Sequence, residues 1–243
     1  MTNSGEFQIE GNLRMADAIN VNEKLLLVIE RFGISLGFGD KTIFEVCEDH
    51  GLNSSLVLIV MNVFNNHSYP TKGLLSETMI PGLIGYLKNG HRYYIMEKLP
   101  FIGELIDRFI EKTDNPDTRL LRSFFKEYAR EVKEHIHLED STVFPYILLL
   151  YRYWQSRESD NRPDNYQIEE YLEHHSDIEE KVDDLMQLLI KHFPPTEDRF
   201  YRNMILLELF DLQYDLNDHS GLEDLILGPL VRELEKKTGV KNG

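Results

Sequence analysis

Cysteine is almost missing from this chain: Cys47 stands alone among 243 residues. A single thiol excludes an intrachain disulfide framework, and with it any zinc or iron–sulfur site built from this chain's cysteines, and it fits a reducing cytoplasm. Long apolar runs are missing too. No stretch approaches the roughly 18 apolar residues that a membrane-spanning helix needs, and the opening segment to Asn12 has neither the basic start nor the apolar middle of a secretory signal. The expectation is an unexported, cytoplasmic protein. Basic charge is scarce: 26 Lys and Arg face 42 Asp and Glu, for a net charge of −16. That field repels phosphate backbones and anionic lipid, so neither nucleic acid nor a membrane is expected as a partner. Period-two alternation is absent over any useful length, which removes β-sheet architectures and leaves an all-α chain.

Helical periodicity is what the chain does have. From about Arg14, Ile19, Leu25, Leu26, Val28, Ile29 and Phe32 recur on a helical face until Gly33. Lys41 to His50 and Asn53 to Val63 read as two more short helices, the first ended by Gly51 and the second capped by Asn53 or Ser54. The polar run Asn65 to Gly73 contains both Pro70 and Gly73 and reads as a connection. Four longer helical stretches follow, about 80–112, 117–155, 165–192 and 197–237, separated at Pro116, Pro163 and Pro194-Pro195. Pro100, Pro145 and Pro229 fall inside these stretches and predict kinks or breaks. The organisation expected is a small helical domain over 1–66, a linker over 67–79 and a four-helix bundle over 80–243.

The bundle says one thing twice. His135, Leu138, Glu139, Asp140 and Pro145 are matched in register by His219, Leu222, Glu223, Asp224 and Pro229. On a helix, residues four apart lie about 6 Å from one another along the axis and on one face, so each His-x-x-x-Glu aims an imidazole and a carboxylate at one point. The spacing repeats as well: 44 residues separate His91 from His135, and 44 separate His175 from His219. Two hairpins, each giving one His from its first helix and a His/Glu pair from its second, make a bundle whose core can hold a pair of metals. The candidate ligands are His91, His135, Glu139, His175, His219 and Glu223. One His-x-x-x-Glu alone means little in an acidic helical chain. His175 and Glu179 form a third without the following Asp and Pro, and Glu179 reads as a solvated residue.

Four imidazoles and two carboxylates suit iron and accept manganese or zinc. If each Glu bridges, every metal has two histidines and two carboxylate oxygens, leaving positions for an oxo or hydroxo bridge and an exogenous ligand. An open position separates a reactive site from a structural one.

At these residues the chain resembles the hemerythrin-like family, in particular the di-iron proteins of iron–sulfur cluster repair. The family's His, then Glu-Glu, then Leu-Phe-Pro is met by His135, Glu139-Asp140 and Val143-Phe144-Pro145, and again by His219, Glu223-Asp224 and Leu227-Gly228-Pro229. Its first ligand precedes a Leu-Pro pair, as His91 precedes Leu99-Pro100. Its third follows a Glu, which at Glu173-His174-His175 fits either histidine; the spacing to His219 and Leu185 ten residues on favour His175. His174, His137 and Glu131 read as surface residues, with an outer-sphere role as the alternative. The resemblance continues through Leu13 to Leu52, where Ile29-Glu30-Arg31-Phe32-Gly33-Ile34 matches a phrase of the repair proteins' small N-terminal domain and Cys47 takes the place of its later cysteine. The paired cysteines of that domain are replaced by Gly37 and Phe38. A role that needs a thiol pair is therefore not expected, and Cys47 reads as a buried small hydrophobe.

The resemblance implies an up-down four-helix bundle holding two non-haem irons that bind or react with nitric oxide, oxygen or peroxide under nitrosative or oxidative stress, with damaged iron–sulfur proteins as partners. The alternative is a hemerythrin-like oxygen or nitric oxide sensor without turnover. A metal-free helical interaction protein is the third class. Pairing of two chains through the N-terminal helices is a further expectation.

Overall fold

The computed structural model describes residues 8–113, 116–156, 177–193 and 199–240. Among them no β-strand occurs, and a single antiparallel bridge joins Arg14 to Thr42. The fold is an all-α helical bundle preceded by short helices. No helix of the described residues is long and apolar enough to cross a membrane.

The short helices are α1 (Met15–Val21), α2 (Leu25–Arg31), α3 (Ile43–Asp49) and α4 (Ser54–Asn65). The single helical stretch expected after Arg14 is two, because Asn22 leaves the helix in an extended conformation and its side-chain carbonyl accepts the Lys24 N–H at 3.1 Å. A polar side chain that satisfies backbone locally competes with helix continuation. α3 opens on a capping box: Thr42 N–H donates to Glu45 Oε2 at 2.8 Å while Glu45 N–H donates to Thr42 Oγ1 at 3.3 Å. It closes before Gly51, whose φ of 62° strains any residue with a Cβ. Of the two candidate caps for α4, Asn53 is the one that accepts the Leu56 N–H.

The long helices follow the expected stretches where they are described; the expected start of the third, near residue 165, and the break at Pro163 lie outside the described residues. α5 (Ile80–Tyr93) runs through a π-turn at Tyr94–Lys98 into α6 (Leu99–Lys112). α7 (Pro116–Leu138) runs through Glu139–Val143 into α8 (Phe144–Ser156). α9 (Asp177–Gln187) ends in the π-turn Leu188–His192, and α10 (Arg199–Leu222) runs through Glu223–Leu227 into α11 (Gly228–Thr238).

Contacts group the described chain into two compact units, one of residues 8–90, 147–156 and 221–240, the other of 91–113, 116–146, 177–193 and 199–220. The interior of the first includes Met15, Leu25, Ile29, Ile43, Val46, Cys47, Val57 and Met61. There buried Asn62 accepts the Ile9 N–H at 2.8 Å and donates to the Ile9 carbonyl at 2.9 Å, tying the incoming chain to α4. The second unit buries one face of each of four helices: Ile102, Ile106 and Phe109; Leu121, Phe125, Tyr128, Val132 and Ile136; Val182, Leu185 and Leu189; Ile205, Leu209, Leu212 and Leu216. Steps of three and four put each set on one stripe, and each buried side chain contributes about 1.5–3 kcal/mol.

Candidate metal centre

The prolines shape the backbone that carries the site. Pro100, Pro145 and Pro229 were expected to kink or break their helices, and the α-helix does give way to a π-turn just before each, leaving the proline at the second position of the α-segment that follows. A proline has no N–H to give and its ring needs space where the carbonyl four residues back would lie. Widening the preceding turn to five residues removes both conflicts and lets the helix run on. Glu139 and Glu223 are the first residues of two such turns. The proline of the repeated motif thus places its glutamate at the mouth of a widened turn, one turn beyond the motif's histidine.

His91 comes from the last turn of α5 and points its Nε2 at two groups: Glu139 Oε2 at 3.0 Å and His219 Nε2 at 3.1 Å. Glu139 divides its oxygens, because Oε1 lies 2.9 Å from His135 Nε2. On the far side of the His91 ring, Nδ1 lies 3.1 Å from Asp140 Oδ1. A carboxylate at one ring nitrogen fixes the proton there and leaves the other nitrogen's lone pair facing inward. The ring is stacked on Phe144, centroids 5.4 Å apart and planes 8° from parallel. Tyr94 meets His219 edge-on at 5.7 Å and donates its O–H to the Asp215 carbonyl.

One ligand atom from each of His91, Glu139 and His219 lies within 4.8 Å of the others, and Glu223, one turn past His219 on the same uninterrupted helix, is the fourth member of the group. All four residues are buried, Glu223 completely. Carboxylates taken out of water cost several kcal/mol each unless positive charge faces them. The spacing suits a cation: ligands about 2.1 Å from a metal and at right angles to one another stand about 3 Å apart, as these ring nitrogens and the carboxylate oxygen do. Two imidazoles and two carboxylates form a donor set for iron, manganese or zinc. The cluster could hold a metal ion.

The family described as the hemerythrin HHE cation binding domain matches residues 86–231, which contain every member of this group. The chain belongs to the hemerythrin HHE family. It is also similar to the iron–sulfur cluster repair protein ScdA of Staphylococcus haemolyticus (strain JCSC1435), 20% identical over 205 residues that cover 82% of this chain and 89% of that protein. Residues 80–243 are only about two-thirds of the chain, so a match of 82% extends into the N-terminal helices.

Of the six ligands predicted for the hemerythrin site, the structure brings His91, Glu139, His219 and Glu223 into one group and sets His135 against Glu139. His175 and His174 lie outside the described residues. His137 is exposed, and Glu131 accepts an ion pair from Lys181 at 2.6 Å; neither joins the group. Asp140, Phe144 and Tyr94 were not predicted to act on the site. Asp140 had a signal, since an acid follows the glutamate in both copies of the motif; the two aromatic residues had none, because their partners are set by packing. Cys47 is buried, and burial pushes its thiol up to about 11, as a small core hydrophobe requires.

Proposed function

We propose that this hemerythrin-family chain is a non-haem di-iron protein that binds or reacts with nitric oxide, oxygen or peroxide, and that it serves the repair of iron–sulfur clusters under nitrosative or oxidative stress. The observation that carries the reading is the divided Glu139 carboxylate, with one oxygen at His91 and the other at His135. A carboxylate shared in this way between histidines of two helices suits a bridge between two metal positions. His91, His219, Glu139 and Glu223 would hold an inner iron. His135 and the second oxygen of Glu139 would face an outer one, with His175 as its remaining histidine. Iron bound there would supply an open position for a small diatomic ligand or peroxide. Asp140 keeps the proton of His91 on Nδ1, Phe144 fixes the plane of that ring, and Tyr94 walls His219 from water. The likeness to a cluster repair protein supports the biological setting.

Metal analysis of the protein purified from iron-replete cells tests the reading: about two irons per chain are expected, with ligand-to-iron absorption in the near ultraviolet. Stoichiometric metal absent from such protein, together with melting unchanged by chelator, overturns it in favour of a metal-free helical protein. Anaerobic addition of nitric oxide to the reduced protein then separates the two uses of the site. Nitrous oxide indicates turnover, and stoichiometric binding without product indicates a sensor.

A further inference from the structure

The second unit has a surface that the metal site does not explain. Along α7, Arg119, Arg122, Lys126, Arg130, Lys133 and His137 follow one another at steps of three or four, and all are exposed. They form one stripe about 27 Å long on a single helix face. On a chain of net charge −16 this is a local reversal of sign. Beside the stripe, α6 and α7 enclose a groove of about 660 Å³ whose floor is Leu99, Pro100, Gly103, Ile106, Phe125 and Ala129.

Two rim cations are already engaged: Arg122 Nε lies 2.8 Å from Asp107, and Arg130 Nη1 lies 2.8 Å from Glu134. Lys126 and Lys133 line the same rim and have no ion-pair partner among the described residues. They stand seven residues apart, two turns and about 10 Å along the axis. The hollow between them owes its depth to a residue the packing does not require. Gly103 lies inside α6, and a Cβ built on it would meet only the Phe125 ring, at an ordinary 3.5 Å. A mid-helix glycine costs about 1 kcal/mol against alanine, so the groove is kept open at the expense of stability.

We propose that this groove is a docking site for an acidic amphipathic helix of a partner protein. Carboxylates seven residues apart on the partner reach Lys126 and Lys133, and apolar side chains at the intervening three- and four-residue steps settle on the floor, a helix laid in a groove. A long polyanion fits less well. RNA or an anionic bilayer reaches past the stripe and meets the negative remainder of the surface, whereas a helix of about 18 residues matches the stripe and, with a Debye length of about 8 Å, feels chiefly the lysines beneath it.

The test is fluorescence anisotropy with the full chain and a labelled 18-residue helical peptide carrying Glu at seven-residue intervals and Leu between them. The expected result is binding about tenfold tighter than to a scrambled peptide of the same composition. Lys126→Glu with Lys133→Glu, and separately Gly103→Leu, each lower that affinity by about tenfold while the melting temperature holds or, for Gly103→Leu, rises. Iron content leaves the affinity unchanged, which keeps this outcome apart from the fate of the di-iron reading. Equal affinity for the scrambled peptide, or no loss in either variant, overturns the proposal. So does tighter, equally lysine-dependent binding to single-stranded RNA or to phosphatidylglycerol vesicles.

Discussion

His135 and His219 open two copies of one motif, on helices of the same form, each one turn before a glutamate that begins a π-turn. Their surroundings differ. His219 is 5% exposed, with His91 at its Nε2 and the edge of Tyr94 against its ring, while the His135 side chain is 26% exposed and meets Glu139. The motif therefore sets what local backbone can set, the aim of a histidine and a glutamate at one point. Access to that point is set by residues far away in sequence. Two stretches that share His, Leu, Glu, Asp and Pro in register thus yield one enclosed histidine and one partly exposed histidine.

Changing Glu139 to Ala should have the largest effect, because its two carboxylate oxygens meet His91 and His135. Metal affinity should fall by more than about a hundredfold, beyond what loss of an outer partner causes, read as iron retained after desalting. Iron retained at the wild-type level would mean that the two halves do not share this carboxylate. The comparison sharpens in the metal-free protein. His219→Ala leaves a hole among Tyr94 and His91 and should cost about 2–3 kcal/mol in urea unfolding. His135→Ala, at a partly exposed position, should stay within about 0.5 kcal/mol. Equal costs would erase the distinction between an enclosed and an open half. Asp140→Asn weakens the grip on the His91 proton and should lower metal affinity about tenfold, with the melting temperature of the metal-free protein kept.

Much of this was legible in the residues. Periodicity and the breaker Pro116 delimited the first two long helices because apolar spacing and loss of an N–H act locally. The register between His135 to Pro145 and His219 to Pro229 singled out Glu139, His219 and Glu223, three members of the buried group, because a repeated helix repeats its side-chain directions. Pro100, Pro145 and Pro229 marked where the α-helix is interrupted but not the form of the interruption: proline forbids an i to i−4 bond and does not specify the widened turn that replaces it. Asn22 was missed, and it ends a helix that apolar spacing alone would have continued. The contacts of Asp140 with His91 and of Tyr94 with His219 are long-range, and one sequence holds no record of which helices face each other.

An effect smaller than the loss of His219 lies beside the enclosed half. Lys98, on the π-turn that follows His91, is buried with its Nζ 2.7 Å from Glu208 and 2.5 Å from Asp211. Burial disfavours its charge, but hydrogen bonds to Asp211 and Glu208 outweigh that and hold its pKa above the ordinary lysine value. A raised native pKa gives stability that is complete below about pH 10.4, the unfolded lysine value, and that is lost as pH rises through the native one. Lys98→Met keeps the apolar stem and removes the charge. Because Asp211 is half exposed and water screens the pair, the cost at pH 8 should be only about 1 kcal/mol. Urea unfolding from pH 8 to 11 should show the two proteins converging at the alkaline end, since only the wild type has a proton to lose at position 98. Parallel curves would show that Lys98 contributes through its packed stem and not through its charge.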